Sequence, residues 1–237
     1  MPGIAGLISV HLPEERRRGI VGKMTRSLLH EPFYVSGECS WPELGVCAGW
    51  VAFDESFAAN QPFSNEQKGV TLLFSGECFS EPQLQNELKQ RGHDIGPNPG
   101  DWLVHLYEEE DAGLFESLNG LFSGLLLDKR QGRAFLFNDR YAFERIYFAE
   151  TEEALYFASE AKAILRVLPE SRVFSIEGLS QFGPACHQHS GIETGRERNT
   201  DAGTRCEVAR NNSLEGVLEL DGKFLSRERC MRLQGRG

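Results

Sequence analysis

Short apolar segments, each closed by glycine, asparagine, aspartate or charge, decide what this chain can fold into. They cover residues 3–10, 46–53, 70–74, 122–127, 134–137, 145–148 and 155–157. Segments this short with such borders read as strands. The polar stretch "DKRQGR" (128–133), with Gly132 between two apolar runs, reads as the turn of a hairpin. Helical spacing of apolar residues is clearest in 81–91 and 102–114, where Leu103, Leu106 and Tyr107 fall at i, i+3 and i+4, and recurs in 160–168. Strands in consecutive hairpins with helices set apart predict an α+β fold of antiparallel sheets. "EERRR" (14–18) after Pro13 reads as a solvated loop or the start of a helix.

The strand pattern weakens after Phe182, where Gly, Asn, Thr and Arg dominate and residues 204–208 alone suggest a strand. The expected organisation is a domain over 1–182 and a poorly ordered tail over 183–237. With 237 residues and 40% hydrophobic content the chain can bury one substantial core. No apolar run approaches the roughly 18 residues of a membrane helix, and the first residues lack a signal peptide's basic start, so a cytoplasmic location without membrane contact is expected. A net charge of -10 speaks against nucleic-acid binding. The cysteines are scattered, with no CxxC pair, and "CHQH" (Cys186, His187, His189) fits no common zinc spacing. Neither a metal nor a cofactor is expected.

Five stretches occur together in order: "GIAGLIS" (3–9), "LLFSGECFSEPQLQNELKQRGH" (72–93), "VHLYEEE" (104–110), "LNGLFSGLLLDKRQGRAFLFNDRYAFERIYF" (118–148) and "LYFASEAKAIL" (155–165). Their order and spacing resemble the N-terminal type 2 glutamine amidotransferase domain of asparagine synthetase. The resemblance implies an Ntn-hydrolase-like αββα sandwich, two antiparallel sheets between helical layers. It also implies a chemistry. An N-terminal cysteine attacks the side-chain amide of glutamine with its own α-amino group as base, amide donors stabilise the oxyanion, an arginine holds the substrate carboxylate, and an aspartate holds its ammonium.

Matching these positions motif by motif gives a depleted set. Pro2 stands at the nucleophile, Trp50 of "GWVAF" at the arginine, and Ser75 of "SGECFS" at the oxyanion asparagine, with Gly76 and Glu77 retained. Pro99 of "NPGD" (98–101) stands at the ammonium-binding aspartate, with Asp101 two residues on as a partial substitute. Proline has no attacking side chain, and a neutral indole cannot make an arginine's bidentate charged bond. Cys78 reads as a small buried residue, because nothing in sequence places a base beside it.

The sequence holds no SGGxDS pyrophosphate loop, P-loop or dinucleotide fingerprint. "GTRCEV" (203–208) resembles the strand that hands this domain over to the synthetase domain. The expected function is therefore an asparagine synthetase-like domain without glutaminase activity, in a structural role or docked to a separate synthetase protein or a second copy. Two alternatives stay open: an active part in glutamine-dependent asparagine synthesis, and a small-ligand module using the remodelled pocket.

Overall fold

Alternation along one strand shows why the chain builds two-sided sheets. In residues 46–53, Val46, Ala48, Trp50 and Ala52 face one hydrophobic layer while Cys47 and Val51 face another. A computed structural model describes residues 2–79, 82–172, 205–208 and 217–221. In chain order the elements are β1 (Gly3–Ile8), α1 (Glu14–Leu28), β2 (Tyr34–Trp41), β3 (Val46–Phe53), β4 (Phe63–Ser64), β5 (Val70–Cys78), α2 (Pro82–Gln90) and α3 (Asp101–Glu110). They continue with α4 (Leu114–Ser117), β6 (Gly120–Asp128), β7 (Arg133–Asn138), β8 (Tyr147–Glu150), β9 (Leu155–Ala158), α5 (Ala161–Val167), β10 (Arg205–Val208) and β11 (Val217–Asp221).

One sheet has the order β10-β8-β9-β1-β3-β2 and the other β11-β7-β6-β5-β4, antiparallel throughout. Three hydrophobic layers follow. Ile4, Ile8, Trp50 and Phe157 of the first sheet meet Leu73, Leu125 and Leu136 of the second. Outside the first sheet, Ala5, Leu7 and Val51 pack on Val21, Met24 and Leu28 of α1 and Ile164 of α5. Outside the second, Leu72, Phe74 and Phe135 pack on Leu103, Leu106 and Tyr107 of α3. This is the expected αββα sandwich.

The predicted strands and helices recur with ends shifted by a few residues. The helix expected over 102–114 instead stops at Glu110, because Asp111 turns the chain with φ 52, and α4 follows separately. "EERRR" forms the first turn of α1. Glu14 and Glu15 sit at its positive end, and Val21, Met24, Thr25 and Leu28 form its buried face. Edge strand β2, partly exposed and polar, gave no signal in the sequence. Of the tail expected over 183–237, only β10 and β11 are described, pairing with β8 and β7; the rest of it, and the expected boundary at 182, lie outside the described residues. Among the described residues no helix is long and apolar enough to cross a membrane.

Candidate functional site

Strand register brings most of the predicted site residues to one end of the sandwich. Gly3 pairs with Val51 and Ile4 with Trp50, so Pro2 precedes the first paired residue of β1, where β3 runs out. The start of β1 is pinned by Ser159, whose Oγ accepts from Ile4 N at 2.9 Å while its own N–H donates to Ile4 O at 2.8 Å. Residues 139–146 leave β7 at Asn138 and enter β8 at Tyr147, which is level with Ala158 and, through it, with Ala5 of β1. That crossing joins the start of β1 to the Asn138 end of the second sheet. Residues 54–62 close the same end, Gln61 Oε1 accepting from Phe74 N at 2.6 Å.

Trp50 faces the inter-sheet layer and is 7% exposed. Its indole lies over Gly37 of β2, its partner in the ladder, where an added Cβ would come within 2.8 Å of the ring. The place expected to hold a cation thus holds an apolar ring packed on a neighbouring backbone.

On the facing sheet, β5, β6 and β7 present three rungs to the interior. Thr71, Leu127 and Ala134 form one, Leu73, Leu125 and Leu136 the next, and Ser75, Ser123 and Asn138 the last. All three polar residues of the last rung are buried. The Ser123 hydroxyl and both polar atoms of the Asn138 amide have no hydrogen-bond partner among the described residues. Burying such groups unpaired costs about 1–3 kcal/mol each. The rung is a small polar floor at the end of an apolar layer, able to bind a polar ligand or water. Sequence reading found Ser75 but missed Ser123 and Asn138. The signal was available, because the hairpin over 128–133 fixes the pairing of 123 with 138 and period two puts Ser123 on the face of Leu125.

Gly76 has φ 99, and a Cβ there would run into the Leu121 carbonyl, so glycine is demanded by the backbone itself. Glu77 is exposed. Pro99 stands apart, exposed on the turn into α3. The Asp101 carboxylate accepts from Asn98 N at 2.9 Å and from the Asn98 amide at 3.0 Å, and so is occupied in closing its own turn. The Cys78 thiol donates weakly to Asn119 O at 3.5 Å, and burial pushes it up to about 11, leaving little thiolate at neutral pH. Cys186, His187 and His189 lie outside the described residues.

The rim of this end is apolar. Phe79, Leu121, Tyr141 and Phe143 are all exposed large side chains. Asp139 shapes the crossing that carries two of them, its carboxylate accepting from the backbone N–H groups of Tyr141 at 2.9 Å, Phe143 at 3.2 Å and Glu144 at 2.9 Å. Ala142 between them sits at φ 51, an unfavourable place for a residue with a Cβ. Burial and then the Asp139 charge push the Glu144 carboxyl up. A separate groove of about 730 Å³, lined by Arg16, Ile20, Lys23 and Tyr156 among others, includes none of these residues.

Comparison with known proteins fits this geometry. Residues 50–166 match the sequence model of the glutamine amidotransferase domain. The chain is 25% identical over 171 residues to asparagine synthetase [glutamine-hydrolyzing] 2 of Bacillus subtilis (strain 168), covering 69% of this chain and 22% of that protein. It is 26% identical over 165 residues to asparagine synthetase [glutamine-hydrolyzing] 2 of Arabidopsis thaliana, covering 69% and 28%. The chain thus spans less than a third of the length of these relatives. Among solved structures, glutamine phosphoribosylpyrophosphate amidotransferase of B. subtilis, complexed with ADP and GMP, superposes with a TM-score of 0.57 at 16% identity, over 70% of this chain and 43% of that one. The chain carries an asparagine synthetase-like glutamine amidotransferase domain built on the Ntn-hydrolase fold.

Proposed function

We propose that this domain does not hydrolyse glutamine and acts as a structural docking unit. The carrying observation is Pro2 at the start of β1, where the fold's chemistry needs a nucleophile and the side chain supplies none. Trp50 packed on Gly37 offers no charge to a substrate carboxylate, and the Asp101 carboxylate is already held by Asn98. Docking draws support from the apolar rim of Phe79, Leu121, Tyr141 and Phe143. Its partner would be a separate synthetase-type protein or a second copy, in the cytoplasm. A direct role in glutamine-dependent asparagine synthesis, the activity in the relatives' names, is the reading this one opposes.

The unpaired Ser123 and Asn138 atoms favour a second reading, in which the remodelled end binds a small polar ligand. One preparation tests both. Purified protein and its Pro2→Cys variant are incubated with L-glutamine and assayed for glutamate, then melted with millimolar amino acids and amines. Neither form is expected to release glutamate above buffer. Release by the natural protein overturns the proposal, and release by Pro2→Cys alone shows that the rest of the pocket still grips glutamine. A ligand present at ten times its Kd would stabilise by about 1.4 kcal/mol, so a raised melting temperature supports the second reading.

A further inference from the structure

The second sheet's helical layer holds a cluster that the amidotransferase reading does not use. His105 and Glu108 lie one turn apart on α3, and His93 follows α2. One ligand atom from each of the three lies within 4.8 Å of the others. Glu108 Oε2 is 3.2 Å from His105 Nδ1 and 3.7 Å from His93 Nδ1, so a single carboxylate oxygen faces two imidazole nitrogens. The other oxygen, Oε1, accepts from Asn65 Nδ2 at 2.7 Å and from Arg130 Nη1 at 3.2 Å. Those two donors fix the carboxylate so that Oε2 stays turned toward the histidines.

His93 is oriented in the same manner. Its Nε2 lies 2.9 Å from Glu109 Oε1, which an N–H at Nε2 satisfies, leaving Nδ1 of the neutral ring as a lone pair. Arg91, 3.0 Å from Glu109, holds that carboxylate in turn. A lone pair facing a carboxylate oxygen at 3.7 Å is a place for a cation between them. A histidine that donates its far nitrogen to a carboxylate while its near nitrogen stays bare is the usual arrangement around bound zinc.

We propose that His93, His105 and Glu108 form a binding site for a divalent transition-metal ion of zinc-like chemistry, which clips the segment after α2 onto α3. Two imidazole nitrogens and one carboxylate oxygen leave the fourth tetrahedral position to water. With bonds of about 2.1 Å the ligand atoms stand about 3.4 Å apart, so no edge, each being within 4.8 Å, need close by more than about 1.4 Å on binding. The movement falls on His93, which lies outside any helix, whereas His105 and Glu108 are both fixed on α3. The competing arrangement is direct hydrogen bonding of His105 Nδ1 to Glu108 Oε2 at 3.2 Å without an ion, and the test separates the two.

Chelator-treated full-length protein is titrated with ZnCl2 by calorimetry at pH 7.5, and with Co2+ by visible absorption. One equivalent of Zn2+ is expected to bind with Kd below about 10 µM, and Co2+ to give the absorption of a four-coordinate site. His93→Ala and Glu108→Gln should each weaken binding at least tenfold. His93→Ala should also melt as the natural protein does in chelator and lose the upward shift that Zn2+ gives the natural protein. Absence of stoichiometric binding overturns the site, leaving a hydrogen-bonded cluster of His93, His105 and Glu108. Binding unchanged in both variants places the ion elsewhere, at Cys186, His187 and His189 for instance, and overturns it equally.

Discussion

Strand β6 ends in two unlike polar environments. At Asp128, its last residue, both carboxylate oxygens are engaged. Oδ1 accepts from Arg130 N at 2.8 Å, Arg130 Nε at 3.1 Å and Gln131 N at 3.3 Å, and Oδ2 accepts from Tyr107 OH at 3.2 Å and Arg130 Nη2 at 3.0 Å. Ser123 on the same strand is as buried, yet its hydroxyl has no partner among the described residues, and Asn138 beside it is in the same condition. The first end is polar because the hairpin needs it. The second is polar without a protein partner among the described residues.

The contrast breaks most easily at Asp128. Asp128→Ala strips the Tyr107 hydroxyl and two turn N–H groups of their acceptor and should cost about 3 kcal/mol in urea unfolding. A loss below about 1 kcal/mol would put the two ends on one footing. The pH dependence carries a sign. Burial pulls the Asp128 carboxyl up, but the hydrogen bond and charge of Arg130 with the turn N–H groups outweigh it and hold the group below its ordinary range. Its contribution is therefore complete above the unfolded value near about 4 and is lost as pH falls through the depressed folded value. Unfolding curves from pH 7 down to pH 2 should accordingly fall less steeply for Asp128→Ala than for the natural protein.

At the other end the expected sign reverses. Ser123→Ala and Asn138→Leu remove groups that are buried and without a partner among the described residues, so each should leave stability unchanged or raise it by about 1 kcal/mol. A loss larger than that from either would show the rung to be satisfied and end the contrast. The smallest effect belongs to the crossing above it. Ala142→Gly relieves the φ of 51 and should add about 0.5 kcal/mol in the same unfolding assay, whereas a loss would show that the methyl group packs.

The sheets were legible because their strands are short apolar runs with a two-residue period, and β5, β6 and β7 fall on the runs 70–74, 122–127 and 134–137. Helix α1 was harder to see. Its first five residues are all charged, and its apolar residues are few enough that the spacing of Val21, Met24 and Leu28 does not stand out. Strand β2 was invisible because an edge strand pairing on one side can remain polar. The site divides likewise. Pro2, Trp50 and Ser75 could be placed by motif, since each sits in a stretch with recognisable neighbours. Asn138 needs the β6–β7 register, and the His93, His105 and Glu108 cluster needs the packing of two separate segments, which no spacing in the chain announces.

The indole resting on Gly37 has a consequence for the order in which this end can change. Position 37 can gain a side chain only after position 50 has given up its ring. Any mutational route that rebuilds a larger residue at 37 must pass through Trp50 first. A saturation library at 37 alone should return glycine, while a paired library at 37 and 50 should open both. Of these two positions, 13 apart in the chain, the first is held by the second.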